Sequence, residues 1–134
     1  MVSFTHAQIE KALSAKSHNL SPEDIRRVAN NKAAVIKIIE EFPAEYDKAK
    51  RQAHLLFEII RETSIGKLSI HTDELKAAAG ALIYLSAPMD IIPDDEKDGY
   101  ADDAAVIGLA VQRMAKHVEN YCTTMGLNPA DYLE

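Results

Sequence analysis

The chain has 134 residues and 47% hydrophobic content, which suits one domain, since a chain of this length buries roughly two-thirds of its unfolded surface on folding. Its formal net charge of −6 disfavours nucleic-acid backbones and anionic lipid as partners. Cys122 is the only cysteine, which excludes an intramolecular disulfide and zinc sites built on several thiolates, and favours a cytoplasmic location.

The sequence predicts neither export nor a membrane span. Residues 1–6 lack the basic residues and the long apolar run of a signal peptide. The longest weakly polar runs, 77–89 and 104–111, fall short of the roughly 20 residues that a membrane-spanning helix needs. We therefore expect no transmembrane segment.

Helix-forming residues dominate the composition, and alternating apolar and polar runs are absent. This pattern predicts an all-α single domain over residues 1–134, a bundle of about five helices. Thr5 followed by Gln8 matches a capping box and opens a short first helix that ends near 17–19. Ser21 and the residues 22–24 open the second element with a cap, a proline and two acids.

The next helices are predicted from the spacing of apolar residues and from a glycine that ends one of them. Asn30 and Asn31 leave two alternatives open across 22–42, one bent helix or two. A long helix is expected from 44 to about 63, with a stop at Gly66. A helix from about Thr72 is apolar nearly all round over 77–85, which predicts the centre of the bundle.

A last helix is expected over 104–125, with a stop at Gly126 and one more turn near 128–133. Gly80 and Gly108 are small enough to let the central and last helices approach closely.

Seven acidic residues are concentrated in 88–103, between two apolar segments. A purely structural interpretation accounts for them: Asp90 forms an Asx-type turn, and Asp94 accepts backbone N–H groups. Asp102 and Asp103 then lie in the first turn of the last helix, where carboxylates are favourable.

Residues 81–94 (ALIYLSAPMDIIPD), followed by 99–107 (GYADDAAVI), resemble the signature of the YkvA-like family of bacterial helical domains. The resemblance implies a small helical domain and carries no activity that could be transferred. It places the family's motif positions at Pro88, Asp90, Pro93, Asp94, Gly99, Tyr100, Asp102 and Asp103. The link 95–98 (DEKD) is acidic here, whereas it is usually apolar in the family, and this difference disfavours peripheral membrane contact.

A divalent cation site is the alternative interpretation of residues 88–103, which we call the acidic turn. Magnesium or calcium prefers several oxygen ligands, and the carboxylates that could supply them are Asp90, Asp94, Asp102 and Asp103. Part of the spacing matches an EF-hand loop, but Ala105 stands where the bidentate glutamate should be. A catalytic version would pair Asp90 with Asp102 or Asp103, either around a metal-activated water or as acid and base.

Other candidate residues carry weaker signals. His54 and Glu58 stand four apart on one predicted helical face and could supply two metal ligands, although a surface hydrogen bond is the more common role. Tyr84 and Tyr100 could each bury the ring and bond a carboxylate of the turn. Cys122 near a helix C-terminus is expected to be a packing residue.

The sequence contains no phosphate-binding glycine loop, nucleophile elbow or dinucleotide fingerprint. We therefore expect a binding or scaffold module without catalytic activity and without a resident cofactor, acting on a protein partner or as a homodimer. The alternative function is a divalent-metal-binding protein or metal-dependent hydrolase that uses the acidic turn.

Overall fold

The structure, a computed structural model, describes residues 5–70, 72–86 and 100–133, without the side chains of 72, 73 and 86. These residues form eight α-helices: α1 (His6–Ser17), α2 (Pro22–Asn30), α3 (Lys32–Glu40), α4 (Asp47–Ser64), α5 (Thr72–Ser86), α6 (Ala101–Arg113), α7 (Ala115–Met125) and α8 (Ala130–Leu133). A 3₁₀ turn at Ala44–Tyr46 precedes α4. No strand occurs in the described part of the chain, so the all-α prediction is confirmed.

The predicted number of about five helices is wrong, because two breaks divide long apolar stretches. Asn31 leaves helical geometry at φ −107° and ψ 48°, which makes α2 and α3 separate helices and settles the open alternative. Met114 does the same at φ −104° and ψ 17°, so the predicted last helix is α6 followed by α7. The extra turn near the C-terminus is the short α8.

Local capping rules explain several helix ends. Thr5 and Gln8 form the predicted capping box, with the Thr5 N–H donating to Gln8 Oε1 at 2.7 Å. Ser21 forms a second box with Asp24. Gly66 and Gly126 have φ of +86° and +73°, and they provide the left-handed backbone that ends α4 and α7.

The core lies where α4, α5 and α6 meet, and α5 contacts α1, α2, α3, α4 and α6. This arrangement agrees with the central position predicted for the apolar 77–85 segment. The largest fully buried side chains come mainly from α4 and from α6 with its continuation into α7: Phe57, Leu56, Ile59, Ile60, Val106, Ile107, Val111, Met114 and Val118. Among the described helices, none combines the length and apolarity needed to cross a membrane.

Gly80 permits a close approach, but to a different helix from the one expected. A Cβ built on Gly80 would lie 2.7 Å from Ser17 Cβ, so α5 fits against the end of α1 rather than against the last helix. A Cβ on Gly108 would meet nothing within 4 Å, so this glycine mediates no close approach. The expected approach through Gly80 and Gly108 is therefore wrong, because Gly80 faces the end of α1 and Gly108 faces open space.

Candidate functional site

The predicted site residues divide into two groups. Outside the described residues lie Pro88, Asp90, Pro93, Asp94 and Gly99, with the Asx turn and the backbone contacts expected of them. Within the described residues lie Tyr84 on α5, Tyr100 just before α6, and Asp102 and Asp103 in the first turn of α6.

Tyr84 and Asp102 connect the two central helices. The Tyr84 hydroxyl donates to Asp102 Oδ2 at 2.7 Å, and the two residues are 3% and 0% exposed. The free backbone N–H groups and the positive dipole end of α6 favour a carboxylate at this position. Carboxylates are almost never fully buried without partners, and Asp102 has one on α5. The geometry supports a role in holding α5 and α6 together.

Asp103 is also buried, at 4% exposure, beside a group of aromatic rings. It lines a small cleft of about 70 Å³ together with Glu41 and Tyr100. The Tyr100 ring lies 5.8 Å from that of Phe42 and 6.5 Å from that of Tyr46, measured between centroids. These tilted contacts pack the start of α6 against the segment between α3 and α4.

The structure brings together only part of the predicted metal site. In the described ranges, no group of three or more His, Cys, Asp and Glu side chains is arranged to hold a metal ion. Asp102 and Asp103 are adjacent, whereas the other two proposed ligands, Asp90 and Asp94, fall outside those ranges. The metal site therefore stays a prediction.

His54 and Glu58 point to different partners rather than to each other. His54 Nε2 lies 2.9 Å from Glu40 Oε2 and links α4 to α3, while Arg61 Nη1 contacts Glu58 Oε2 at 3.5 Å. The hydrogen bond from His54 lowers the pKa of the Glu40 carboxyl, with smaller contributions from Lys50 and from the His54 charge.

Cys122 is fully buried, and burial raises the pKa of its thiol, as expected of a packing residue.

A groove of about 700 Å³ lies between α1, α2, α3 and α5, and we call it the α3 groove. Its apolar wall is formed by Leu20, Val28, Val35, Ile38, Leu82 and Ile83. The nine-residue α3 is rich in apolar side chains, yet only Ile39 of it is buried. Its other large apolar side chains are half-buried, and two of them, Val35 and Ile38, line the groove.

The polar lining of the α3 groove comes from the end of α1, from α2 and from the α2–α3 junction. Lys16, Asp24 and Arg27 are its charged members, so one negative charge faces two positive ones. The pKa of Asp24 is lowered by hydrogen bonds from the Ser21 backbone and side chain and, to a smaller extent, by Arg27. The groove therefore carries a positive local balance on a chain whose net charge is −6.

A second cleft, of about 330 Å³, lies between α1, α5 and the α6–α7 junction. Three of its lining residues take part in ion pairs: His117 contacts the Glu74 carboxylate, and Arg113 Nη2 lies 3.6 Å from Oε2 of Glu10, which is outside the lining. The pairs connect α7 to α5 and α6 to α1. This cleft is best described as a polar seam between helices.

Sequence reasoning missed the α3 groove. One signal was present, since 33–39 holds six apolar residues and one lysine, which is more than a single buried face requires. What local patterns do not provide is the position of the neighbouring helices, which leaves part of that surface uncovered.

Searches against protein-family models, curated proteins and solved structures find no match to this chain. The resemblance to the YkvA-like family accordingly rests on the motif residues alone and stays a prediction.

Proposed function

We propose that this chain is a binding module without catalytic activity, and that it binds the apolar part of a ligand in the α3 groove. The observation that carries the proposal is the half-buried apolar face of α3, which lines a cavity of about 700 Å³. Ligand sites in proteins are concave, mostly apolar and about 300–1,000 Å³ in volume. The cytoplasmic location belongs to the same proposal and rests on the single cysteine.

The buried carboxylates favour binding over catalysis. Asp102 has no exposed surface and is bonded to Tyr84, and Asp103 is nearly as deeply buried. A group that acts as acid, base or nucleophile must reach its substrate within hydrogen-bond distance. In this arrangement the two carboxylates serve the packing of α6, whereas the α3 groove is open to solvent.

A neutral apolar dye, Nile red, tests the proposal on the intact chain. We expect saturable binding with a rise in fluorescence. Ala34 lines the groove and is half-buried, so Ala34→Phe should fill it and weaken dye binding by at least about tenfold, which corresponds to about 1.4 kcal/mol.

The neighbouring Ala33 is exposed and does not line the groove, so Ala33→Phe is the matched control, with the same change in helix propensity. It should bind dye like the wild type. Absence of saturable binding, or equal losses in both variants, would contradict the proposal. If Ala34→Phe does not fold, NMR provides an independent readout in the wild type. Dye addition should then change the chemical shifts of the Val35 and Ile38 methyl groups.

The divalent-metal-binding protein or metal-dependent hydrolase remains the alternative proposal. It depends on Asp90 and Asp94 approaching Asp102 and Asp103, and the titration that tests it is given in the Discussion.

A further inference from the structure

The elements that line the α3 groove differ in polarity, and the difference indicates what kind of ligand fits. The charged and amide side chains come from the end of α1, from Asn19 between α1 and α2, from α2 and from Asn31, and this region also contributes the apolar Leu20 and Val28. By contrast, α3 and α5 contribute only apolar residues to the lining, and the large ones, Val35, Ile38, Leu82 and Ile83, form what we call the apolar side. A ligand that matches both parts has a polar head and an apolar chain.

The charged side chains of the groove indicate the sign of the charge on the ligand's polar head group. Asp24 is occupied by the cap of α2, since its Oδ2 accepts from the Ser21 N–H at 3.0 Å and from the Ser21 hydroxyl at 3.1 Å. Arg27 Nη1 reaches Asp24 Oδ1 at 3.4 Å, which is a long contact between exposed groups. A guanidinium has five N–H donors, so most of the Arg27 donors remain available to a ligand.

The apolar side is recessed, which favours an inserted chain over a flat protein surface. The large hydrophobic residues that are most exposed in the described part of the chain are Ile65, Met125 and Leu127, and none of them lines the groove. Protein interfaces of standard size bury about 800 Å² per partner around a central apolar patch. Within residues 5–70, 72–86 and 100–133, no exposed large apolar residue extends the groove into such a patch.

Building on the proposed function, we infer that the α3 groove binds a single-chain amphiphile with an anionic head group, such as a fatty-acid carboxylate. The head meets Arg27 and Lys16 at the rim, where a carboxylate accepts charge-assisted hydrogen bonds. The alkyl chain lies along the apolar side, and the removal of its methylene groups from water supplies most of the affinity.

Displacement of Nile red by three amphiphiles of equal chain length tests the head group. Dodecanoate, dodecanol and dodecyltrimethylammonium are compared below their aggregation concentrations. We expect dodecanoate to bind at least about tenfold more tightly than dodecanol, and the cationic amphiphile to bind most weakly. Equal affinities for the carboxylate and the alcohol would overturn the anionic head while leaving the proposed function intact.

The double variant Lys16→Gln with Arg27→Gln should weaken dodecanoate binding at least about tenfold more than it weakens dodecanol binding. Lys37→Gln removes an exposed positive charge on α3 that does not line the groove, so it should behave like the wild type. Equal losses in the double variant and in Lys37→Gln would show a general charge effect and overturn the assignment.

A second copy of this chain is the competing occupant of the groove. Sedimentation of the wild type should show a species whose mass is unaffected by Ala34→Phe. A dimer that Ala34→Phe dissociates and dodecanoate does not would mean that another copy covers the groove, and the amphiphile inference would be wrong. Absence of Nile red binding would instead remove the proposed function itself, so the two failures are distinguishable.

Discussion

Tyr84 and Asp102 form a buried hydrogen bond of 2.7 Å between α5 and α6, across a separation of 18 residues in the chain. The bond joins α5 to the first turn of α6. We expect the bond to contribute to the free energy of unfolding, because both groups are shielded from water.

Tyr84→Phe removes the hydroxyl and keeps the ring. We expect the free energy of unfolding to fall by about 1–3 kcal/mol, since a buried carboxylate loses a donor. Asp102→Asn is the comparison variant, because the amide oxygen still accepts from Tyr84, and its loss should be smaller. Urea unfolding followed by circular dichroism measures both. A Tyr84→Phe value within about 0.5 kcal/mol of the wild type would show that the bond contributes little.

Gly80 and Gly108 offer a matched pair of glycine substitutions. Gly80→Ala would place its Cβ 2.7 Å from Ser17 Cβ, and we expect a loss of about 1–3 kcal/mol as α1 and α5 are forced apart. Gly108→Ala enters open space inside α6 and should raise stability by up to about 1 kcal/mol through helix propensity. Thermal unfolding compares the two, and equal effects would contradict the close contact at Gly80.

Glu40 should titrate below its ordinary pKa of 4.5 because His54 stabilises the carboxylate. A folded-state pKa below the unfolded value contributes stability that is present above the unfolded pKa and is lost as pH falls through the folded pKa. NMR titration of the Glu40 side chain measures this directly. In His54→Ala the pKa should return towards 4.5, and an unchanged titration would show that His54 is not the cause.

Metal titration separates the proposed binding module from its alternative. We expect calorimetry with calcium, magnesium and manganese to give no saturable heat and no thermal shift, because Asp102 is engaged by Tyr84. Micromolar binding that Asp102→Asn abolishes would support the metal site at Asp90, Asp94, Asp102 and Asp103 instead. Asp131→Asn, far along the chain on α8, is a control for general charge loss.

The helix starts at Thr5 and Ser21 and the stops at Gly66 and Gly126 could be predicted from sequence, because each depends on interactions within a few residues. The division at Met114 could not be predicted. No proline or glycine marks it, and the apolar pattern continues through it.

The candidate site was less accessible to sequence reasoning. The hydrogen bond from Tyr84 to a carboxylate of the acidic turn was expected, because the hydroxyl of a buried tyrosine requires a partner. The α3 groove was not expected, and neither was the packing of Gly80 against Ser17. Both depend on which helices become neighbours, and that is decided by the whole fold rather than by any local pattern.

The weak anchoring of α3 has a consequence for dynamics. Ile39 is its one fully buried residue, and the rest of its anchoring comes from the half-buried Val35 and Ile36 against the core and from the Glu40–His54 link. Segments of this kind open at low free-energy cost while the rest of the structure stays closed. Amide hydrogens of α3 should therefore exchange with deuterium earlier than those of α4, and a molecule seated on the helix would slow that exchange.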